Sequence, residues 1–292
     1  MWRPKRLLIG PGGAKGFLYL GVLLYMENHG LLEEVDTIVG VSIGSIIGLL
    51  ISCGYKISEI IEHTITLDIM SIISRESIYG PYHFNLNESL NSCGLFDIDE
   101  LIKPLLDKLI LEKLGYIPTL SQIQGICGIK FMTVANNQTQ KCAKCMSGES
   151  DPFLECSVAS CLSANLPIVF KKKEYLGDVY SDGALRDPYP INLIDDCSTP
   201  VLGIFIENIY NENQELHQGT FSKFFRYLAQ VIDSPIQEIR KLKIEKSSSA
   251  CKHIPLYTTN IDTTGSTITI KLKEEMIASS YVKANDFFSN FL

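Results

Sequence analysis

Residues 35–54 read VDTIVGVSIGSIIGLLISCG, and the stretch changes character at Ser42. Ahead of the serine, VDTIVGV is rich in β-branched residues, the composition of a strand buried on both faces. Behind it, IGSIIGLLISCG reads as a buried helix ending at Gly54, where a left-handed cap suits glycine. Gly40, Ser42 and Gly44 spell G-x-S-x-G across that junction. A serine on so sharp a strand-to-helix turn is forced outward, and flanking side chains would obstruct it, so glycines at 40 and 44 serve the turn. The helix N-terminus directly behind Ser42 offers partial positive charge to a developing oxyanion. Gly44 and Gly48, four apart, share one helix face and permit a neighbouring backbone to come close. A glycine-punctuated turn with a helix-capping serine carries the same five letters. The strand-to-helix setting is what favours a nucleophile.

Upstream, KRLLIG (5–10) suits a second buried strand, followed by the glycine-rich GPGGAKG (10–16) and a helix over about 16–29 that Gly30 can stop. Strand–helix–strand–helix at this spacing predicts a parallel sheet with right-handed crossovers. The glycine loop fits neither nucleotide template. A Walker A loop needs Ser or Thr after its lysine, but Lys15 is followed by Gly16; the dinucleotide fingerprint counted from Gly10 needs glycine at position 15. A glycine loop opening onto a helix still aims N–H groups at an anion. Beside a serine nucleophile, the natural anion is the oxygen of a tetrahedral intermediate. Pro11 removes one N–H from the loop and stiffens it through its fixed φ.

A serine hydroxyl needs a base to take its proton. The histidines are His29, His63, His83, His217 and His253. In the order Ser…Asp/Glu…His, His217 or His253 could complete a triad, yet NQELHQGTF is polar and loop-like and SACKHIPLY looks like a strand entrance. YSDGALRD (180–187) offers another base. There Asp182 is followed by Gly183 and the small Ala184, a tight turn that presents the carboxylate without crowding; an ordinary Asp-Gly turn is the plain alternative.

The rest of the chain bounds these readings. A formal charge of −7 over 292 residues disfavours a nucleic-acid binder and tight electrostatic adhesion to anionic lipid. A local basic run, Lys171–Lys173, can still meet headgroups, although a solvated hairpin tip reads the same way. Nine scattered cysteines without a secretory leader ahead of them suit free thiols in a reducing intracellular compartment. The CxxC of Cys142 and Cys145, followed by Cys156 and Cys161, has the wrong spacing for a zinc ribbon, and no metal or cofactor is expected. The longest strongly apolar run, Ile43–Cys53, is too short to span a bilayer.

Residues 66–96 lack clean periodicity and carry Tyr79, Tyr82, Phe84 and Phe96, an irregular connection or a cap over a pocket. FDIDELIKPLLDKL opens a helix with Asp97 as N-cap and Glu100 at N3. IKFMTVANNQTQKCAKC (129–145) reads as a hairpin around Asn136–Gln138, and DPFLECSVASCLSANLP (151–167) as a helix ending before Pro167. PVLGIFIE (200–207) is another buried strand, a helix covers about 219–245, and TITIKL (267–272) precedes a C-terminal helix from about 273. No linker or repeat marks a boundary. One domain over 1–292 is expected, with a motif-bearing core at 5–206 and a C-terminal strand and helices at 207–292.

Together, LLIGPGGAKGFLYLGVLLYMENHGLL, VDTIVGVSIGSIIGLLISCGY and SVASCLSANLPIVFKKKEYLGDVYSDGALRDPYPI resemble the patatin-like phospholipase family, and CGLFDIDELIKPLL and GIKFMTVANNQTQK look like its middle portion. The resemblance covers residues 5–206 and the remainder only weakly. It implies a three-layer α/β/α fold around a mostly parallel central sheet and a Ser–Asp dyad in place of a triad. Carried over, Ser42 is the acyl-accepting nucleophile and Asp182 its base. The N–H groups of Gly12 and Gly13 form the oxyanion hole, and Lys15, Gly16, Gly40, Gly44 and Gly183 support the motifs. Pro11 stands where the family more often has glycine. The implied activity is hydrolysis of fatty-acyl esters of phospholipid or neutral glycerolipid, generally without a metal, by a peripherally membrane-associated intracellular enzyme. A transacylase or esterase at the same site, and a non-catalytic lipid-binding protein on this scaffold, stay open. An unperturbed aspartate, with a pKa of about 3.9, is a weak base for a serine, so the dyad requires a desolvated carboxylate.

Overall fold

The computed structural model describes residues 2–67, 91–209, 220–259 and 268–291. β1 (Arg6–Ile9), α1 (Phe17–Asn28), β2 (Thr37–Val41) and α2 (Ile43–Ser52) follow one another as the sequence pattern predicts, and β1 pairs with β2 in parallel. A 3-10 turn over Gly13–Gly16 leads the glycine loop into α1. Then come α3 (Ile57–Ile65), β3 (Gly94–Phe96), a short α4 (Ile98–Leu101), α5 (Lys103–Leu114) and α6 (Leu120–Cys127). β4 (Lys130–Asn137) and β5 (Cys142–Ser147) form a hairpin, and α7 (Cys156–Ser163) follows. β6 (Ile168–Phe170), β7 (Lys173–Tyr175) and β8 (Asp178–Asp182) run into the Asp-Gly turn. β9 (Val201–Ile209), α8 (Thr220–Glu245), β10 (Cys251–Thr259) and α9 (Ile270–Ser289) complete the described elements.

The main sheet has the order β10–β9–β1–β2–β4–β8–β7, with β5 also paired to β4. β10, β9, β1, β2 and β4 are mutually parallel; β5, β8 and β7 supply the antiparallel part. Strand alternation sorts the core into two layers. Leu7 and Ile9 point to the face covered by α1, α2, α3, α5, α6, α7 and α9, whereas Leu8 points to the other. On that second face Val39, Met132 and Phe205 meet Tyr189, Ile191 and Ile194, with Ile244 of α8 packed against them. Helices therefore cover both faces of a largely parallel sheet, the arrangement that strands buried on both sides require.

Some boundaries differ from expectation. The helix expected over 151–167 is confined to Cys156–Ser163. Its first residues are held instead as a turn against α6, where the carbonyls of Pro152 and Leu154 accept from the N–H groups of Ser121 and Leu120. The hairpin of 129–145 turns after Asn137, which still pairs with Cys142, and Lys141 takes a φ of 54° to close it. Asp97 caps α4 through the Asp99 N–H, but the helix breaks at Ile102 because Pro104 cannot continue its hydrogen bonding. The last helix begins at Ile270, capped by Thr269 on the Leu272 N–H, so Ile270–Leu272 belong to it rather than precede it. Most of the 66–96 segment, together with His83, His217 and Thr267, lies outside the described residues. All nine cysteines are free thiols, and among the described residues no helix is long and apolar enough to cross a membrane.

Candidate active site

Ser42 and Asp182 are 140 residues apart, and one strand brings them together. β4 has two edges. β5 occupies one of them along Met132–Asn137, so β2 and β8 share the other. β2 runs up this edge and ends with Val41 opposite Val134; β8 runs down it and ends with Asp182 opposite Ala135. The two strands meet end to end, and the residue after Val41 is Ser42. Register alone therefore sets the two side chains side by side, and Ser42 Oγ donates to Asp182 Oδ2 at 2.6 Å.

Ser42 takes φ 57° and ψ −126°, a backbone state that L residues rarely adopt. Close packing holds it there. A Cβ at Gly44 would come within 2.2 Å of the Ile9 carbonyl oxygen, and one at Gly40 within 2.4 Å of the Gly44 carbonyl oxygen. The elbow thus sits directly on the end of β1. The expected backbone approach occurs at Gly44, while Gly48 faces the side chains of Ile38 and Phe131. Ser42 does not cap α2 with its side chain; the hydroxyl goes to the carboxylate instead.

Asp182 is only 2% exposed. Its Oδ1 accepts from the Ala184 N–H at 2.8 Å within the 3-10 turn Gly183–Leu185, which leaves Oδ2 for Ser42. The turn fits because position 183 is glycine: a Cβ there would lie 2.0 Å from the Val134 carbonyl oxygen. Burial raises the Asp182 carboxyl from its ordinary 3.8 to about 6, against the opposing hydrogen bonds from Ser42 and Ala184. The carboxylate is ionised at neutral pH yet binds a proton far more readily than an exposed aspartate.

The glycine loop lies alongside. Gly16 packs on Ile43, the first residue of α2, and the N–H of buried Lys15 closes the 3-10 turn on the Gly12 carbonyl at 3.1 Å. Gly13 has a φ of 54°, in the left-handed region that favours glycine. Among the described residues, neither the Gly12 nor the Gly13 N–H meets an acceptor. Elbow and loop stand at the carboxyl ends of parallel strands, the edge at which open α/β sheets bind ligands.

Two residues that sequence reasoning missed complete the frame. Ser163, at the end of α7, accepts from the Ser42 N–H at 3.0 Å and donates to the Val134 carbonyl at 2.6 Å. The Asn165 carbonyl accepts from the Asp182 N–H at 2.9 Å, and its amide reaches the carbonyls of Lys171 and Tyr180. One short segment therefore holds the backbone of both residues. One turn earlier, Ser160 accepts from Ser45 of α2. Ser157, Ser160 and Ser163 recur every third residue in an otherwise apolar helix, a polar stripe that marks the contact in the sequence.

His253 stands elsewhere. It pairs with Gly203, Gly203 with Leu8, and Leu8 with Val39, which puts it three strand spacings, about 14 Å, from β2. Its ring bonds the Tyr189 hydroxyl and Ser247 Oγ, and burial lowers its pKa. His29 bonds the Tyr25 carbonyl and His63 lies in α3. Lys171 and Lys172 link β6 to β7 and Lys173 opens β7, so the run is not a hairpin tip; Lys172 pairs with Glu174 and Lys173 with Asp99. The turn between β7 and β8 carries Leu176, 89% exposed.

Comparison with known proteins agrees with this architecture. A model of the family described as patatin-like phospholipase matches residues 7–195. The uncharacterized protein R571 of Acanthamoeba polyphaga mimivirus is 29% identical over 213 residues, covering 72% of this chain and 68% of that one. The probable lipid hydrolase 463L of Invertebrate iridescent virus 6 is 27% identical over 189 residues, covering 65% of this chain and 62% of that one. Among solved structures, VipD from Legionella pneumophila has a similar fold, with a TM-score of 0.59 at 16% identity over 99% of this chain and 67% of that one. The matches therefore span about two thirds of the relatives' length. The family match opens at Leu7 in β1 and runs past the Asp-Gly turn to Asp195, enclosing every strand and loop that frames Ser42 and Asp182, and so the chain belongs to the patatin-like phospholipase family.

Proposed function

We propose that the protein is a lipid acyl hydrolase that cleaves fatty-acyl esters of phospholipid or neutral glycerolipid through an acyl-enzyme at Ser42. The observation that carries this reading is the buried 2.6 Å hydrogen bond from Ser42 Oγ to a carboxylate whose pKa burial raises to about 6. As Ser42 Oγ attacks the ester carbonyl, its proton passes to Asp182 Oδ2. The N–H groups of Gly12 and Gly13, with the N-terminus of α2, stabilise the oxyanion. Asp182 returns the proton to the leaving alcohol oxygen as its bond to the acyl carbon breaks. In the second half Asp182 takes a proton from water as the hydroxide adds to the acyl carbon. On collapse it returns that proton to Ser42 Oγ as the bond to the acyl carbon breaks, which frees the fatty acid and restores the serine and the carboxylate. A base with a pKa near 6 suits this exchange better than one near 4, because general-base efficiency grows with proton affinity while the group stays ionised. The substrate is aggregated lipid, so the working enzyme docks peripherally at a lipid–water surface. Family membership and the likeness to a probable lipid hydrolase support a lipid ester as substrate.

Fluorophosphonate labelling combined with lipid product profiling tests the reading. Ser42→Ala is expected to abolish both labelling and product, and Asp182→Asn to cut turnover by at least about a thousandfold, a loss typical of a missing general base acting with its nucleophile. Labelling that survives Ser42→Ala overturns the site. Acyl transfer to an added alcohol without fatty-acid release makes the protein a transacylase at the same site. Intact labelling with no turnover on any lipid leaves a lipid-binding protein.

A further inference from the structure

The orientation of the glycine loop has a visible cause in the core. Tyr19, in the first turn of α1, is fully buried, and its hydroxyl donates to the Pro11 carbonyl at 2.7 Å. The Pro11–Gly12 peptide is trans, so its carbonyl and its N–H point in opposite directions. A hydroxyl that draws the Pro11 carbonyl inward therefore turns the Gly12 N–H outward, away from the core. The same ring lines the underside of the loop: a Cβ at Gly12 would lie 3.4 Å from Tyr19 Cε2 and one at Gly10 3.2 Å from its hydroxyl. Burial pushes the tyrosine pKa far up, so the group stays a protonated donor at any working pH.

We propose that Tyr19 is a positioning residue for the oxyanion hole, whose hydroxyl sets the Pro11–Gly12 peptide with the Gly12 N–H facing the reacting carbonyl. The inference rests on the hydrolase reading above and deepens it. Proline at position 11 cannot donate, so the hole draws on the two glycine amides that follow, and the first of them belongs to the peptide that Tyr19 holds. Without the hydroxyl, that peptide is free to rotate its N–H out of line. The donor would then be weakened in the transition state, where charge develops, and ground-state binding would be untouched.

Tyr19→Phe keeps the ring and removes the hydroxyl. With a soluble short-chain ester, kcat is expected to fall about 10- to 100-fold, somewhat less than complete removal of an oxyanion donor, while KM stays within about twofold. A trifluoromethyl ketone, which forms a tetrahedral adduct with the serine, should weaken by the same factor, whereas an ether analogue that forms none should bind unchanged. A merely structural loss would weaken both inhibitors together. p-Aminophenylalanine at position 19 supplies a donor at similar reach and is expected to restore most of kcat. Should Tyr19→Phe fail to fold, p-methylphenylalanine at the same position fills the hydroxyl's volume and carries the same comparison. Unchanged kcat, a rise in KM alone, or equal weakening of both inhibitors overturns the inference while leaving the parent active and dependent on Ser42. If instead the parent cleaves no ester and labelling survives Ser42→Ala, it is the hydrolase reading that fails.

Discussion

Replacing Asp182 by Asn should stabilise the fold while it stops catalysis, and the size of the gain should depend on pH. The carboxyl has an ordinary value of 3.8 and a folded value of about 6, raised by burial. Between these values the folded protein holds the proton more tightly than the unfolded chain, so stability falls as pH rises through that window. The cost to the folded state of keeping the carboxylate ionised comes to about 1 kcal/mol at pH 4.5 and about 3 kcal/mol at pH 8. Asn cannot ionise, and its shape preserves the local hydrogen bonds: Oδ1 still accepts from Ala184 while the amide donates to Ser42 Oγ. Urea unfolding of parent and variant at pH 4.5, 6 and 8 measures the difference, and other titrating groups cancel between the two proteins. The stability gap in favour of Asn is expected to widen by about 2 kcal/mol from pH 4.5 to pH 8. A gap that is constant with pH, or a parent that is the more stable protein at pH 8, refutes the claim that desolvation tunes this carboxylate.

The same carboxylate predicts that kcat/KM on a soluble ester rises with pH through about 6 and then levels as Asp182 becomes fully ionised, which a pH–rate profile from 4.5 to 8.5 checks. Ser163→Ala leaves the buried Ser42 N–H unpaired; it should cost about 1–3 kcal/mol in urea unfolding and lower kcat more than KM. Gly183→Ala drives a methyl against the Val134 carbonyl, and is expected to cost about 3 kcal/mol or more and to abolish labelling of Ser42. His253→Ala should keep turnover within about twofold of the parent while lowering stability by about 1–3 kcal/mol, because the Tyr189 hydroxyl loses its partner. A large activity loss with an intact fold in that variant would return the protein to the triad class.

What could be read directly from the chain was local. The β-branched run ending at Ser42, the apolar helix after it, the glycine loop ahead of α1 and the Asp-Gly turn each announce themselves within a dozen residues, because strand, helix and turn preferences act over that range. Their order predicted a parallel sheet, and β10–β9–β1–β2–β4 is that sheet; the helices on both its faces were what the family resemblance implied. Boundaries failed where a distant partner intervened, as when α6 holds residues 152–154 in a turn and shortens α7.

The site itself depended on contacts between residues far apart in the chain. Ser42 was legible as an outward-facing serine, but nothing within its own stretch distinguishes Asp182 from His253 as its neighbour. That choice was made by register: β2 and β8 end nose to nose on one edge of β4, while β10 lies three strands away. The raised carboxyl pKa, the Ser163 and Asn165 hydrogen bonds and the Tyr19 grip on Pro11 belong to the same class. Each arises from burial or from pairing across more than local distance, and such terms exist only once the chain is packed. The sequence by itself determined which reactive groups the protein would offer; the tertiary structure decided which of them meet, and how strongly the buried Asp182 carboxylate binds its proton.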